Sequence, residues 1–287
     1  MSINPQEIAF AIITYYPKWY NGKLKSISHT DKVRGDLALE FIQKTISMGF
    51  HLVVVDGKSS RSFKKLLKNF PGIRLTKKLS PKRSPAKRQA FKAASKIDGV
   101  KVIIACEGEK VSLLDNIVPI VKPILENKAD IVVPKREESL FKETYPEYMY
   151  QSETEGNKLY NEQLRIRSLI KEEEELDMFF GPRAFCNNSK VLALFFKKFH
   201  FQKDQKSLEE YFDPEEYSNV LYFPIIIALQ KNFRVKSVEI PFSYPKLQKM
   251  NETIGAKEFF VEKRQNQRIG TLLHLMYLLS YLQKKQL

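Results

Sequence analysis

The sequence predicts an α/β fold, a mostly parallel sheet flanked by helices with a C-terminal helical extension, and three observations carry that prediction. Short apolar runs at residues 8–15, 52–55, 102–105 and 131–134 read as strands covered on both faces. Stretches with helical spacing of apolar residues lie between them, at 35–48, 86–96 and 113–126. With the short strand at 73–75 the strands recur about every 30 residues on average, an alternation that fits stacked, right-handed βαβ units.

The first strand is rich in Ile and Ala and stops at Pro17. Residues 18–34 are basic and aromatic without a clear period, and read as a loop over the sheet edge. Leu37, Leu39, Phe41, Ile42, Thr45 and Ile46 give the first helix its apolar positions, and Gly49 caps its end. The second strand runs into Asp56-Gly57-Lys58-Ser59-Ser60, followed by a helix at 62–69 that Pro71-Gly72 stops. A short strand at 73–75 leads into a basic loop over 77–83. Ser84-Pro85 reads as an N-cap with proline at the first helical position. Lys87 and Arg88 then sit in a first turn where cations oppose the helix dipole; a bound phosphate would compensate them, and so would solvent.

After residue 135 the rhythm breaks. Residues 137–175 are polar and rich in Tyr and Glu, helical over 154–169, with an acidic run at 172–175 that reads as solvated. Apolar character returns at 177–185 around Gly181-Pro182. Helices are expected at 191–199 and, despite Pro224, at 217–230, with a charged loop over 201–213 between them. A strand at 234–240 ends at Pro241. Residues 257–283 read as a long helix with Ile269, Leu272, Leu273, Met276, Leu279 and Leu282 on one face, which either packs on the domain or lies on an anionic membrane. Residues 1–250 are thus read as one domain, with a nucleotide-sized half over 1–136 and an acceptor half over 137–250, and 251–287 as the extension.

Bulk properties narrow the function. A net charge of +15, from 48 Lys and Arg against 33 Asp and Glu, implies an anionic partner: nucleic acid, an acidic membrane surface or a phosphorylated small molecule. The basic clusters alternate with apolar residues rather than stacking aromatics, so nucleic acid is not the expected partner. Cys106 and Cys186, far apart, exclude a disulfide framework and a structural zinc site. No secretory signal and no uncharged apolar run of membrane-spanning length is seen, so a cytoplasmic, soluble or peripheral protein is expected. His29, His51, His200 and His274 stand at no metal-ligand spacing and read as structural or surface residues. Neither a dinucleotide fingerprint nor a P-loop follows the early strands.

Two turns remain as candidate chemistry. Glu107 and Glu109, with Gly108 between them, follow the central strand, at the edge where open α/β sheets bind ligands. Two such acids can hold a divalent cation, or form an ordinary solvated turn. Asp56 follows the second strand, where its carboxylate could accept from a base or ribose, with Lys58, Ser59 and Ser60 closing the turn; the other reading is a cap of the next helix.

In order along the chain, these residues resemble a GT-A glycosyltransferase, most like the family 2 nucleotide-sugar enzymes, over residues 8–245. The resemblance rests on Val55-Asp56-Gly57-Lys58-Ser59-Ser60, on Arg83-Ser84-Pro85-Ala86-Lys87-Arg88, and on Glu107-Gly108-Glu109 at the place of the D-x-D metal motif. It implies a Rossmann-like sheet and transfer of a sugar from a nucleoside diphosphate sugar to an unidentified hydroxyl acceptor. It places nucleotide-sugar contacts at Thr14, Tyr15, Asp56, Lys58, Ser59, Arg83, Lys87, Arg88 and Glu107, and a divalent metal, Mn or Mg, on Glu107 and Glu109. Asp177 and the turn Gly181-Pro182-Arg183 would face the acceptor, with Asp177 as base. Glu215 and Glu216, just before a late helix, compete for that role. Glu in both positions of the D-x-D leaves three outcomes open: coordination, weak binding, or a donor site that works without metal. A sugar-phosphate nucleotidyltransferase ranks lower, because Thr14-Tyr15-Tyr16-Pro17 stands where a Gly-rich loop is expected. A non-catalytic basic binding protein on the same scaffold is the third reading.

Overall fold

The computed structural model describes residues 3–199 and 213–284; the expected charged loop, apart from Asp213, and His200 fall outside them. Seven strands form one sheet: β1 (Ile8–Thr14), β2 (His51–Asp56), β3 (Ile73–Lys77), β4 (Val102–Ala105), β5 (Ile131–Arg136), β6 (Arg183–Cys186) and β7 (Val235–Ile240), in the order β3-β2-β1-β4-β6-β5-β7. β1 pairs parallel with β2 and β4, β2 with β3, and β5 with β7. β6 alone runs antiparallel, between β4 and β5.

The expected α/β class with a mostly parallel sheet is what the chain adopts, and the reason lies in the alternation along the strands. Ala9, Ala11, Val53, Val55, Ile103 and Ala105 face one apolar core, whereas Phe10, Ile12, Leu52, Val54 and Ile104 face a second on the other side. Both faces must therefore be covered. Helix α3 (Arg83–Ala94) covers the first with Phe91 and its alanines, and α1 (Thr30–Ser47) covers the second with Phe41 and Ile42.

Several elements depart from the expected bounds. α1 begins at Thr30 rather than at residue 35, because Lys32 is almost fully buried, its ammonium 5.0 Å from the Trp19 ring centroid and 2.7 Å from Asp36, so a lysine stands at an apolar position of the period. α2 (Arg61–Asn69) matches its expectation. α3 starts at Arg83, and Ser84 is no cap: its N–H donates to the Glu215 carbonyl at 2.8 Å. The expected helix at 113–126 is a 3-10 segment, Val111–Asn116, followed by α4 (Ile117–Leu125).

The irregular middle is more helical than its composition suggests, with α5 (Glu138–Thr144) and α6 (Glu147–Ile166) before β6 and α7 (Ser189–Phe196) after it. The single helix expected at 217–230 is two, α8 (Ser218–Leu221) and α9 (Phe223–Gln230), parted at Tyr222 beside Pro224. Residues 172–175 are exposed, as expected. After α10 (Lys246–Met250) the chain ends in α11 (Lys257–Lys284), which packs against α6. Its buried side carries Leu275, Leu278 and Leu279, whereas Ile269, Leu273 and Met276 are exposed, so the expected apolar face is rotated. Among the described residues no helix is long and apolar enough to cross a membrane.

Candidate functional site

β1 is the strand from which the chain order reverses: β2 and β3 lie to one side and β4 to the other. Ligands of open α/β sheets bind beyond the carboxyl ends of strands at such a switch point. The register brings Thr14, Asp56 and Lys77 abreast at that edge, and sets Ala105 beside Arg183. A cavity of about 890 Å³ opens there. Among the described residues eight Lys or Arg side chains line it against five carboxylates, which leaves an excess of positive charge.

The turns after β1 and β2 are locked together. Thr14 Oγ1 donates to Asp56 Oδ1 at 3.0 Å, the Ser59 N–H donates to Asp56 Oδ2 at 3.2 Å, and the Tyr16 N–H donates to Ser59 Oγ at 2.9 Å. Asp56 and Ser59, expected to touch a nucleoside, are buried by these bonds and are not among the residues that line the cavity. Neither does Asp56 cap α2, since Ser60 Oγ accepts from the Phe63 N–H at 3.2 Å. What the brace presents to the cavity is Thr14, the 61% exposed Tyr15, Gly57 and Lys58. Lys58 has φ of +77°, a left-handed backbone that L side chains adopt at a cost and that clusters at functional turns.

The acidic turn after β4 is neutralised by cations. Glu107 Oε1 accepts from Lys87 Nζ at 3.3 Å, while its Oε2 is buried and has no hydrogen-bond partner. That oxygen is sealed by Gly181, where an added Cβ would stand 2.5 Å from it. Burial alone would raise the Glu107 pKa, but Lys87 and Lys110 overcome it and hold the carboxyl at about 2. The Lys110 ammonium is held among the rings of Tyr145, Phe180, Phe242 and Tyr244, 5.2 to 5.7 Å from their centroids. Glu109 Oε1 accepts from Tyr16 Oη at 3.0 Å and stands 2.9 Å from Arg34 Nε. Burial opposes the charge on Arg34, yet Glu109 and Glu252 together with Tyr16 and Tyr244 overcome it and raise the guanidinium above its ordinary pKa.

These residues do not fit a divalent cation. Hard cations take six or more oxygens, several of them from carboxylates. Here one Glu107 oxygen is on a lysine, the other is closed off, and Glu109 is committed to Arg34 and Tyr16. Among the described residues no group of three or more His, Cys, Asp or Glu side chains could hold a metal ion. The ammonium and guanidinium groups stand where a cation's charge would be needed.

α3 divides its basic residues. Arg83 and Lys87, one helical turn apart, both line the cavity. Arg83 stacks 4.7 Å from the Tyr217 ring centroid and stands 3.7 Å from Glu216. Arg88 points elsewhere and pairs with the buried Glu215, which also accepts from Asn219 Nδ2 at 2.8 Å; it is a brace between α3 and α8, not a phosphate contact. Asp177 and Arg183 are braces as well. Arg136 grips Asp177 through Nε at 2.7 Å and Nη2 at 2.8 Å, and Asn157 Nδ2 donates to it at 2.7 Å. Burial would raise the Asp177 pKa, but Arg136 and Asn157 hold it below the usual carboxylate range, and it does not line the cavity, so it is no base for an acceptor. Arg183 is fully buried, its guanidinium donating to the carbonyls of Phe180, of Pro182 at 2.7 Å and of Met178 at 2.9 Å. It shapes the turn that seals Glu107.

The cavity also holds residues that the sequence does not assign to the site. Arg34 was hidden in the stretch read as a loop, and Phe260, Lys263 and Arg264 come from the first turns of α11, read as an appended helix. The one signal for Arg34 was Thr30-Asp31, an acidic helix start.

No family model matches the sequence, and no curated protein matches it. Solved structures with a similar arrangement include 4-diphosphocytidyl-2C-methyl-D-erythritol synthase from Anaerococcus prevotii, at 15% identity and TM-score 0.45, with 89% of this chain and 99% of that one covered. A protein described as a nucleotide-diphospho-sugar transferase from Desulfovibrio desulfuricans matches at 10% identity and TM-score 0.43, over 94% and 98% of the two chains. S. aureus TarS in complex with UDP matches at 13% identity and TM-score 0.40, over 81% and 57%. What the site can do follows from its own residues.

Proposed function

We propose that this chain is a glycosyltransferase that moves a sugar from a nucleoside diphosphate sugar to a hydroxyl acceptor. The observation that supports this most is the convergence of the Thr14–Tyr15 turn, the Gly57–Lys58 turn, Arg83, Lys87 and Glu107 on one cavity at the switch point of the sheet. Its size, about 890 Å³, suits a ligand of nucleotide-sugar dimensions. The exposed Tyr15 ring is a stacking surface for the base, and Lys58, Arg83 and Lys87 face the diphosphate.

In this reading the bond between the sugar's anomeric carbon and the diphosphate oxygen breaks, and its electron pair leaves with the diphosphate. Negative charge grows on that leaving group, and cations already fixed in place stabilise it without reorganisation. Lys87 is so fixed by Glu107, and Arg83 by Tyr217. The donor site therefore works without a divalent metal. The acceptor oxygen forms the new bond and gives its proton to a carboxylate. Of the cavity carboxylates, Glu107, Glu109 and Glu153 are held by close cations and Asp31 accepts from the Lys18 N–H at 2.6 Å. Glu216, loosely paired and about half exposed, is the one free to take the proton.

A screen of nucleoside diphosphate sugars, read as release of nucleoside diphosphate in the presence of chelator, tests the proposal. Turnover of at least one donor is expected. Release of pyrophosphate from a nucleoside triphosphate and a sugar phosphate, with no donor turned over, would make the chain a nucleotidyltransferase instead.

A further inference from the structure

The first turns of α11 form one wall of the cavity, and the charges there do not balance. Arg34 stands 2.9 Å from Glu109, Arg264 Nη1 stands 3.1 Å from Glu153, and Arg83 Nε stands 3.7 Å from Glu216. Lys263 lines the same cavity with no ion pair and no hydrogen bond; its ammonium lies 5.5 Å from the Phe260 ring centroid. It is the cation of this group that, among the described residues, has no carboxylate in ion-pair contact. Lys263, Arg83 and Lys87 line one cavity, Lys263 on α11 and the other two on α3.

We propose that Lys263 binds the diphosphate of the donor, and that α11 thereby completes the donor site rather than extending the domain. The assignment rests on the transferase reading for the identity of the anion, and on the cavity's own charges for its existence. The groups facing Lys263 are Arg34 from α1, Arg83 from α3, Arg264 from α11 itself, and Glu252 from the segment between α10 and α11. Burial, then Arg34, Arg264 and Arg83, pull its pKa down to about 7, with Glu252 opposing. Without a bound anion Lys263 is mostly neutral above that pH. An anion favours the charged form, so binding takes up a proton and weakens as pH rises, by up to tenfold per unit. The terminal phosphate of UDP or GDP loses its second proton near pH 6, so for these two probes the range from 7.5 to 8.5 isolates the lysine, whereas pyrophosphate still titrates there and is read at pH 7.5 alone.

Calorimetric titrations of the full chain with UDP and GDP at pH 7.5 and 8.5, and with inorganic pyrophosphate at pH 7.5, in chelator and in buffers of different ionisation enthalpy, decide the matter. The wild type is expected to take up a proton and to lose affinity by close to tenfold over that range. Lys263→Gln is expected to lose about tenfold at pH 7.5 together with the proton uptake, while Lys263→Arg keeps the affinity and loses the pH dependence, since a guanidinium stays charged. Lys263 is only partly buried, so both variants should melt as the wild type does. Nucleotide affinity and proton uptake unchanged in Lys263→Gln would overturn the assignment and leave the transferase reading standing. Pyrophosphate binding that depends on Lys263, with no nucleotide bound, would uphold the anion site and end the transferase reading. No binding of any of the three would end both.

Discussion

Glu107 sets the charge of the site, because Lys87 and Lys110 hold its carboxyl at about 2 while an unfolded chain would titrate near 4.3. The folded state therefore binds fewer protons than the unfolded one between those values. The stability this contributes is complete above pH 4.3 and is lost as pH falls toward 2. Denaturant titrations of wild type and Glu107→Gln should differ at pH 6 and converge by pH 2. Asp177 makes a contrasting case: its carboxylate answers Arg136, forty-one residues earlier, and not a substrate. Asp177→Ala takes two hydrogen bonds from that buried guanidinium, leaving Glu153 at 2.6 Å as its remaining carboxylate, and should cost about 1–3 kcal/mol in urea unfolding, whatever the substrate. Glu216→Gln, at an exposed position, should instead lower kcat by at least about a hundredfold with little change in donor KM or in melting temperature. Legibility in the sequence divides the same way. Tyr15, Lys58, Lys87 and Glu107 could be read because they directly follow strands or open a helix. The braces Asp56, Arg88, Asp177 and Arg183 could not, since a carboxylate or guanidinium is assigned by what other elements place against it.

Elements show how one misplaced side chain hides a boundary. The buried Lys32 breaks the apolar period of α1, so the turn carrying Arg34 read as loop. β6 is short and begins with a buried arginine, which conceals a strand that only its two neighbours in the sheet define. α11 carries apolar residues on more than one side, and packing on α6 decides which are inside. Leu278→Ala should therefore destabilise by about 2–5 kcal/mol, and Leu273→Ala by less than about 0.5 kcal/mol, in equilibrium urea unfolding. The reverse order would mean that the helix docks through its other face.

At the scale of the whole molecule, the apolar rhythm of the first half was enough to read the class of the sheet and the edge where a ligand would sit. The size of the cavity was not readable, because nearly half of its lining comes from residues after 136, among them residues of α6, the turn at 178–182, α8 and α11. The net charge of +15 implies an anionic partner, and the cavity at the carboxyl edge carries an excess of cations. On the proposed function, this cavity binds a nucleoside diphosphate through fixed cations, with no metal between. Calorimetric titration of wild type and Lys87→Ala with UDP and GDP, in chelator and then in manganese, tests it most directly. At least one of them should bind the wild type equally well in both conditions and bind Lys87→Ala at least about tenfold more weakly. Binding that appears only with manganese, or none in either condition, would contradict it.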